Sequence, residues 1–161
     1  AVSMLLRTLG SEDIPAIWEI NEQGLPGTGK VSQDEIAELM RLAELPLGAY
    51  EEDRLVGFVL CLLPRTKYAS PNYAWFNQRY QNFLYVDRIA VLESHRNRTI
   101  GSLLYQEVIA YAQQNNYPIT AEVSLKPPNP DSMRFHHRFG FLEVGVLHHE
   151  SKSVTMMFRE C

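Results

Sequence analysis

Cysteine is scarce in this sequence. Its 161 residues contain two, Cys61 and Cys161, and no Cys-x-x-Cys pair. The chain therefore supports neither a disulfide framework nor a cysteine zinc site, and we expect Cys61, which stands in an apolar run, to be a small buried side chain. Two pairs of adjacent histidines, at 136–137 and 148–149, are poor chelators because neighbouring strand residues point to opposite faces. No metal is expected.

Long apolar runs and an excess of basic charge are lacking as well. The longest apolar run, Leu55–Leu63, is too short to span a membrane, so no membrane partner is expected. The N-terminal apolar segment includes Arg7 and lacks a small-residue cleavage site, so we expect no signal peptide and a cytoplasmic protein. Fifteen Lys and Arg against nineteen Asp and Glu leave a net charge of -4, which argues against a nucleic-acid partner.

What is present is an ordinary globular composition. Hydrophobic residues make up 45% and charged residues 21% of the chain, and the length suits a single domain over residues 1–161. Apolar patterning predicts strands at 3–10, 47–50, 55–63, 83–92, 119–125, 143–149 and 153–160. It predicts helices at 11–25, from Ser32 to before Pro46, at 99–116 and at 131–139. This order indicates one mixed α/β sheet.

The segment 64–82 fits neither the helical nor the strand period. It carries two prolines and five aromatic residues among polar ones, namely Tyr68, Tyr73, Trp75, Phe76 and Tyr80. A connection of this length is more often functional than idle. We interpret it as a lid, a pocket wall or a contact within a homodimer.

The most informative segment, residues 91–102, joins a predicted strand to the predicted helix at 99–116. Free N–H groups at the start of a helix, with the positive end of its dipole, form an anion site. Arg96 and Arg98 add positive charge there, and Ser102 adds a hydroxyl. Gly101 lets a phosphate approach the backbone closely. The alternative interpretation is a solvated basic turn before an ordinary helix.

Two motifs resemble those of the GNAT superfamily of acetyl-CoA dependent N-acyltransferases. Arg96-x-x-Thr99-x-Gly101 resembles the family's pyrophosphate loop, Gln/Arg-x-x-Gly-x-Gly/Ala, and residues 86–91 resemble the strand before it. Residues 129–141 resemble the second motif, Asn-x-x-Ala/Ser-x-x-Phe-Tyr-x-x-x-Gly-Phe. Thr99 stands in place of a glycine, and His136 in place of the tyrosine that protonates the departing thiolate in many members. The resemblance covers nearly the whole chain.

The resemblance implies a central, mostly antiparallel sheet of about seven strands with flanking helices. Its two middle strands splay apart and admit the pantetheine arm of acetyl-CoA. The residues implied in coenzyme binding are Ile89, Ala90, Val91, Arg96, Asn97, Arg98, Thr99, Ile100, Gly101, Ser102, Asn129, Ser132 and Phe135.

The implied reaction is acetyl transfer from acetyl-CoA to a primary amine of a small-molecule or peptide acceptor, by direct attack. Asp87 or Glu122 is implied as the base and His136 as the acid. Tyr85, Trp75 and Phe76 are implied in substrate binding. The loop 24–30, which matches most of a nucleotide-binding loop but continues with Val31 where a hydroxyl is needed, is interpreted as a flexible border of the acceptor site.

Two other classes of function stay open. The departures at Thr99 and His136 favour a non-catalytic module that binds or senses acyl-CoA. The aromatic segment 64–82 favours a protein-interaction domain.

Overall fold

The structure of the protein is a computed structural model that describes residues 4–161. The strands are β1 (Met4–Thr8), β2 (Leu45–Glu51), β3 (Arg54–Leu62), β4 (Leu84–Val91), β5 (Ile119–Lys126), β6 (Leu142–His148) and β7 (Ser153–Arg159). The helices are α1 (Ile14–Gln23), α2 (Gln33–Leu42), α3 (Pro71–Arg79), α4 (Ile100–Gln114) and α5 (Pro130–Arg138), with 3₁₀ turns at Ser11–Asp13 and Glu93–His95. Ser3, where the first strand is predicted to begin, lies outside the described residues. Within residues 4–161, no helix combines the length and the apolar character needed to cross a membrane.

The strands form one sheet in the order β1-β2-β3-β4-β5-β7-β6. The pairs β1–β2, β2–β3, β5–β7 and β6–β7 are antiparallel. β4 and β5 are parallel, and their register joins Leu84 to Ile119 and Tyr85 to Thr120. The predicted mixed α/β class and the mostly antiparallel sheet of seven strands with flanking helices are therefore confirmed. The splaying of the middle strands stays a prediction.

Two local signals explain where α2 begins and where α5 ends. At the start of α2, Ser32 Oγ accepts a hydrogen bond from Glu35 N at 3.1 Å, and Glu35 Oε1 accepts one from Ser32 N at 2.9 Å. This reciprocal pair satisfies two N–H groups that the helix itself cannot bond. After α5, Gly140 has a φ of 87°, a left-handed angle that ends the helix.

The chain divides into two compact units. Of the described residues, one unit comprises 4–62 and 86–111, and the other 63–85 and 112–161, so the boundary falls within β4. The assignment of 1–161 to one domain stays a prediction.

In the first unit, β3 is buried from Leu55 to Leu62 and packs against α1 and α2. Gly57 of this strand faces the start of α4. A Cβ atom added to Gly57 would lie 3.0 Å from Ile100 Cγ2 and 3.3 Å from the carbonyl oxygen of Ala90. The missing side chain at Gly57 therefore lets α4 begin close to the strand.

In the second unit, α3 corrects the sequence prediction, which treated 64–82 as an irregular connection. Ser70 Oγ accepts a hydrogen bond from Tyr73 N at 3.3 Å, and Pro71 occupies the first helical position. Aromatic residues have modest helix propensity, and this short helix buries only Tyr73 and Phe76. The helix is therefore too short for its apolar period to be recognised in the sequence. The pair Ser70-Pro71, which is typical of a helix start, was the local signal that could have predicted α3.

Candidate active site

The start of α4, in the first unit, is a candidate anion site. The N–H group of Leu103 bonds the Thr99 carbonyl at 3.0 Å. The N–H groups of Ile100, Gly101 and Ser102 therefore precede the internal bonding of the helix, as the first amides of any helix do. With the positive end of the helix dipole they form a site that suits a diphosphate.

The two arginines of this loop have different surroundings. Arg98 has a side chain that is 58% exposed, and its guanidinium lies 3.6 Å from Glu51 Oε2. Arg96 instead donates to backbone carbonyls, from Nε to Val91 at 3.3 Å and from Nη2 to Gln23 at 3.0 Å. Arg98 therefore presents charge to solvent, whereas Arg96 braces the loop against the ends of β4 and α1. A coenzyme contact of either residue stays a prediction.

Glu51 and His95, which the sequence did not single out, hold the same loop. The buried His95 ring places Nε2 3.1 Å from Glu51 Oε1 and Nδ1 2.8 Å from Ser94 Oγ. Glu51 thus contacts both His95 and Arg98. No local pattern predicts this link, because Glu51 lies at the end of β2, far from the loop in sequence.

Thr99 has a backbone φ of 65°. This left-handed angle suits glycine, the residue of the resembling motif, whereas a β-branched side chain is strained there. The Thr99 hydroxyl donates to the carbonyl oxygen of Arg98. Thr99 therefore has a backbone angle that suits glycine, although the glycine of the motif is missing.

Asp87, one of the two predicted bases, is held in an ion pair. Its Oδ2 accepts a hydrogen bond from Arg88 Nε at 2.7 Å, and the two side chains are 3% and 7% exposed. The Arg88 guanidinium also donates to Asn21 Oδ1 at 3.0 Å and to the Gly29 carbonyl at 2.9 Å. Asp87 and Arg88 therefore belong to a buried network that fastens the loop 24–30 to β4, an arrangement that favours a structural role for Asp87.

Glu122, the other predicted base, meets Tyr85 in the second unit. The Tyr85 hydroxyl lies 2.8 Å from both carboxylate oxygens of Glu122. Asn72 of α3 donates from Nδ2 to Glu122 Oε1 at 3.1 Å. The Tyr85 ring is fully buried, with its centre 5.2 Å from that of Tyr73 and 5.8 Å from that of Phe76. Two predicted site residues therefore come together with Asn72, which sequence reasoning missed.

His136, the predicted acid, is buried in the second unit. Its Nδ1 lies 2.8 Å from the Ser132 carbonyl oxygen and therefore carries the hydrogen of that bond. Burial lowers the pKa of His136, while the bond to Ser132 opposes this effect. The ring packs edge-on against Phe135 and Phe141. These surroundings favour a neutral packing residue, and the acid role stays a prediction.

Three further residues that were predicted to contact coenzyme or substrate, Asn129, Trp75 and Phe76, lie in the second unit. Asn129 Oδ1 accepts from Ser132 N at 3.2 Å and caps α5. The Trp75 ring lies 3.8 Å from the Arg79 guanidinium carbon and packs against Gly145, and Phe76 is fully buried. These placements favour packing roles in the second unit, and contacts with coenzyme or substrate stay predictions.

Comparison with known proteins places this geometry in context. A model of the "Acetyltransferase (GNAT) family" matches residues 14–141. No curated protein has a sequence similar enough to match the chain.

Several solved structures share the fold. Ard1 from Thermoplasma volcanium is 20% identical, with a TM-score of 0.81, over 99% of this chain and 98% of that one. Arabidopsis thaliana NAA60 in complex with acetyl-CoA is 17% identical, with a TM-score of 0.78, over 99% and 100%. Arabidopsis thaliana Naa50 in complex with the bisubstrate analogue CoA-Ac-MVNAL is 20% identical, with a TM-score of 0.75, over 99% and 100%.

Proposed function

The chain belongs to the acetyltransferase (GNAT) family, and on this premise we propose that it transfers an acetyl group from acetyl-CoA to a primary amine. The observation that carries the proposal is the start of α4 at Ile100, where the first amides of the helix and the exposed Arg98 suit a diphosphate. Among acceptors, a peptide N-terminus is the first candidate, because the similar fold of Naa50 was solved with an analogue that joins coenzyme A, acetyl and MVNAL.

In this proposal the coenzyme diphosphate lies on the amides of Ile100, Gly101 and Ser102, with Arg98 beside it. These amides are fixed by the helix that follows, so they need little reorganisation to bind a phosphate. Acetyl-CoA supplies the activated thioester.

Glu122 takes a proton from the acceptor. A protonated peptide N-terminus has a pKa of about 8 and an alkyl ammonium one of about 10, and neither has a lone pair for attack, so the acceptor must first lose a proton. We favour Glu122 over Asp87 because Arg88 occupies the Asp87 carboxylate in a buried pair, whereas Glu122 is held by Tyr85 and Asn72. The amine nitrogen then bonds the acetyl carbon and the carbon–sulfur bond breaks. The nitrogen gives up a second proton as the neutral amide forms, and the departing thiolate takes up a proton. A thiol with a pKa of about 8.5 leaves without a strong acid.

The amine attacks the thioester directly in this proposal, with no acetyl-cysteine step. Cys61 is fully buried, as predicted. Burial raises the pKa of its thiol, and the negative charge of Asp87 raises it further. A buried neutral thiol is a poor nucleophile.

The proposal is tested by thiol release from acetyl-CoA. Peptides with free N-termini and a panel of small amines are offered, with N-terminally blocked peptides as controls, and coenzyme binding is measured by calorimetry. We expect release with at least one free amine. Coenzyme binding without release would favour the sensing module, and no binding would favour the interaction domain.

The phosphate site is tested separately with Gly101→Asp. A carboxylate at this position repels the diphosphate, so we expect coenzyme affinity to fall at least tenfold. Gln106→Asp adds the same charge at an exposed position of the same helix and should leave affinity nearly unchanged. Equal affinities of the two variants would contradict the site.

A further inference from the structure

Helix α3 reaches the Glu122 carboxylate through Asn72, and Asn72 is itself held by His149. The Asn72 amide donates to Glu122 Oε1 at 3.1 Å, and its Oδ1 lies 2.9 Å from His149 Nε2. His149 belongs to the turn between β6 and β7, where its backbone N–H group donates to the Lys152 carbonyl oxygen at 2.7 Å. Together with Tyr85, these side chains form one hydrogen-bonded chain within the second unit.

The direction of each bond in this chain follows from donor and acceptor chemistry. An ionised carboxylate only accepts hydrogen bonds, so Asn72 must present its NH₂ group to Glu122. The Asn72 Oδ1 atom then faces His149, and because a carbonyl oxygen only accepts, His149 must carry its hydrogen on Nε2. Donation therefore runs from His149 to Asn72 and from Asn72 to Glu122, while Tyr85 donates from another direction.

Asn72 and Tyr85, two donors to Glu122, both depend on α3. Asn72 is part of the helix, and the ring of Tyr85 packs against Tyr73 and Phe76 of the same helix. A glutamate side chain has several rotatable bonds, and two donors limit the positions that its carboxylate adopts. A proton acceptor held in one orientation needs less rearrangement when the reaction begins.

We propose that Asn72 is a positioning residue for acetyl transfer, which orients Glu122, and that His149 supports it by fixing the orientation of the Asn72 amide. This inference rests on the proposed function, in which Glu122 takes the proton of the amine. It gives α3 a role that differs from a lid or a dimer contact, since the helix holds the base from within the unit.

The test compares Asn72→Asp with Gln78→Glu. Both add one negative charge to α3, but Gln78 is exposed and has no place in the chain of bonds. In Asn72→Asp the donor to Glu122 is replaced by an acceptor of similar size. We expect kcat to fall at least tenfold in Asn72→Asp, with KM for acetyl-CoA within about twofold of the original protein, and Gln78→Glu to keep both values. If Asn72→Asp does not fold, Asn72→Ala removes the donor without adding charge and is expected to lower kcat in the same way.

His149 is tested by rescue. The amide of His149→Gln retains an N–H donor for Asn72 and is expected to retain more kcat than His149→Ala. His148→Gln is the matched control, because His148 bonds Ser153 Oγ instead, at 2.8 Å. Equal kcat values for Asn72→Asp and Gln78→Glu, or for His149→Gln and His149→Ala, would overturn the inference.

A spectroscopic readout separates this inference from the proposed function. Nitrogen-15 NMR of the histidine rings, recorded without substrate, is expected to show His149 protonated on Nε2, with a changed Nε2 resonance in Asn72→Ala. A ring protonated only on Nδ1 would overturn the chain of bonds even if acetyl transfer is observed. Absence of acetyl transfer with every amine, together with an intact Nε2–H signature, would overturn the proposed function while leaving the chain of bonds standing.

Discussion

At the scale of single residues, Thr99 combines a β-branched side chain with a φ of 65°. A side chain in this left-handed region costs roughly 1–2 kcal/mol, which glycine avoids. The neighbouring contacts explain why the loop keeps this conformation: Arg96 fastens it to the Val91 and Gln23 carbonyls, and Glu51 lies beside Arg98. Strain of this kind persists where surrounding contacts determine the backbone.

Replacing Thr99 with glycine should relieve this strain. Glycine also loses more backbone freedom on folding, by roughly 0.5–1 kcal/mol. We therefore expect Thr99→Gly to raise the free energy of unfolding by at most about 1.5 kcal/mol and to tighten coenzyme binding. Urea unfolding and calorimetry measure the two effects. Thr8→Gly, at an exposed position of β1, is the control and should lose about 1 kcal/mol. Equal losses in the two variants would contradict the strain at Thr99.

His136 predicts how stability depends on pH. Burial lowers the pKa of His136 from its usual 6.5, so the folded chain keeps the ring neutral where the unfolded chain takes up a proton. This contribution to stability is full above pH 6.5 and is lost as the pH falls below 6.5 towards the folded pKa, with a slope of at most about 1.4 kcal/mol per pH unit. We expect His136→Gln to flatten the decline in free energy of unfolding between pH 7.5 and 5.5. His148→Gln is the control and should decline like the original protein. If the free energy of unfolding of His136→Gln declines as steeply as that of these two proteins, this account is contradicted.

At the scale of elements, the start of α4 in the first unit and α3 in the second each depend on packing against another part of their own unit. The start of α4 depends on Gly57 of β3, which leaves room for Ile100. Helix α3 depends on its buried face, where Tyr73 and Phe76 pack with Phe83 and Tyr85. A helix of nine residues is marginal by itself in water, so this packing is what stabilises α3.

A methyl group at Gly57 should therefore disturb the start of α4. Its Cβ would lie 3.0 Å from Ile100 Cγ2, and overpacking of this kind typically costs about 1–3 kcal/mol. We expect Gly57→Ala to lower the free energy of unfolding by that amount and to weaken coenzyme binding severalfold. Gly29→Ala is the control, because its nearest neighbour, Arg88 Nη2, would be 3.9 Å away. If the two variants unfold alike and bind coenzyme alike, Gly57 does not set the position of α4.

At the scale of the whole molecule, the net charge of -4 describes the binding chemistry poorly. The proposed ligand carries phosphates, and the start of α4, with Arg98 beside it, would bind them. Backbone amides contribute no formal charge, so a sum over side chains does not record them.

The sequence by itself determined what depends on neighbours along the chain. The alternation of apolar residues in strands and their helical period elsewhere determined the mixed α/β class. The Ser32–Glu35 pair determined where α2 begins, and the motifs around Gly101 and Phe135 indicated the family. These signals lie within one or two turns or strands, where local sterics and hydrogen bonding decide the outcome.

Only the tertiary structure decided which side chains meet at the candidate base. Tyr85 and Glu122 are 37 positions apart, Asn72 and Glu122 are 50 apart, and Asn72 and His149 are 77 apart. The sequence named Tyr85 and Glu122 through the resemblance but not Asn72 or His149, and it had no means of showing that Arg88 bonds Asn21 and Gly29, which lie 67 and 59 positions away. Such contacts arise from the packing of whole elements, and no periodicity in the chain encodes the distances between them.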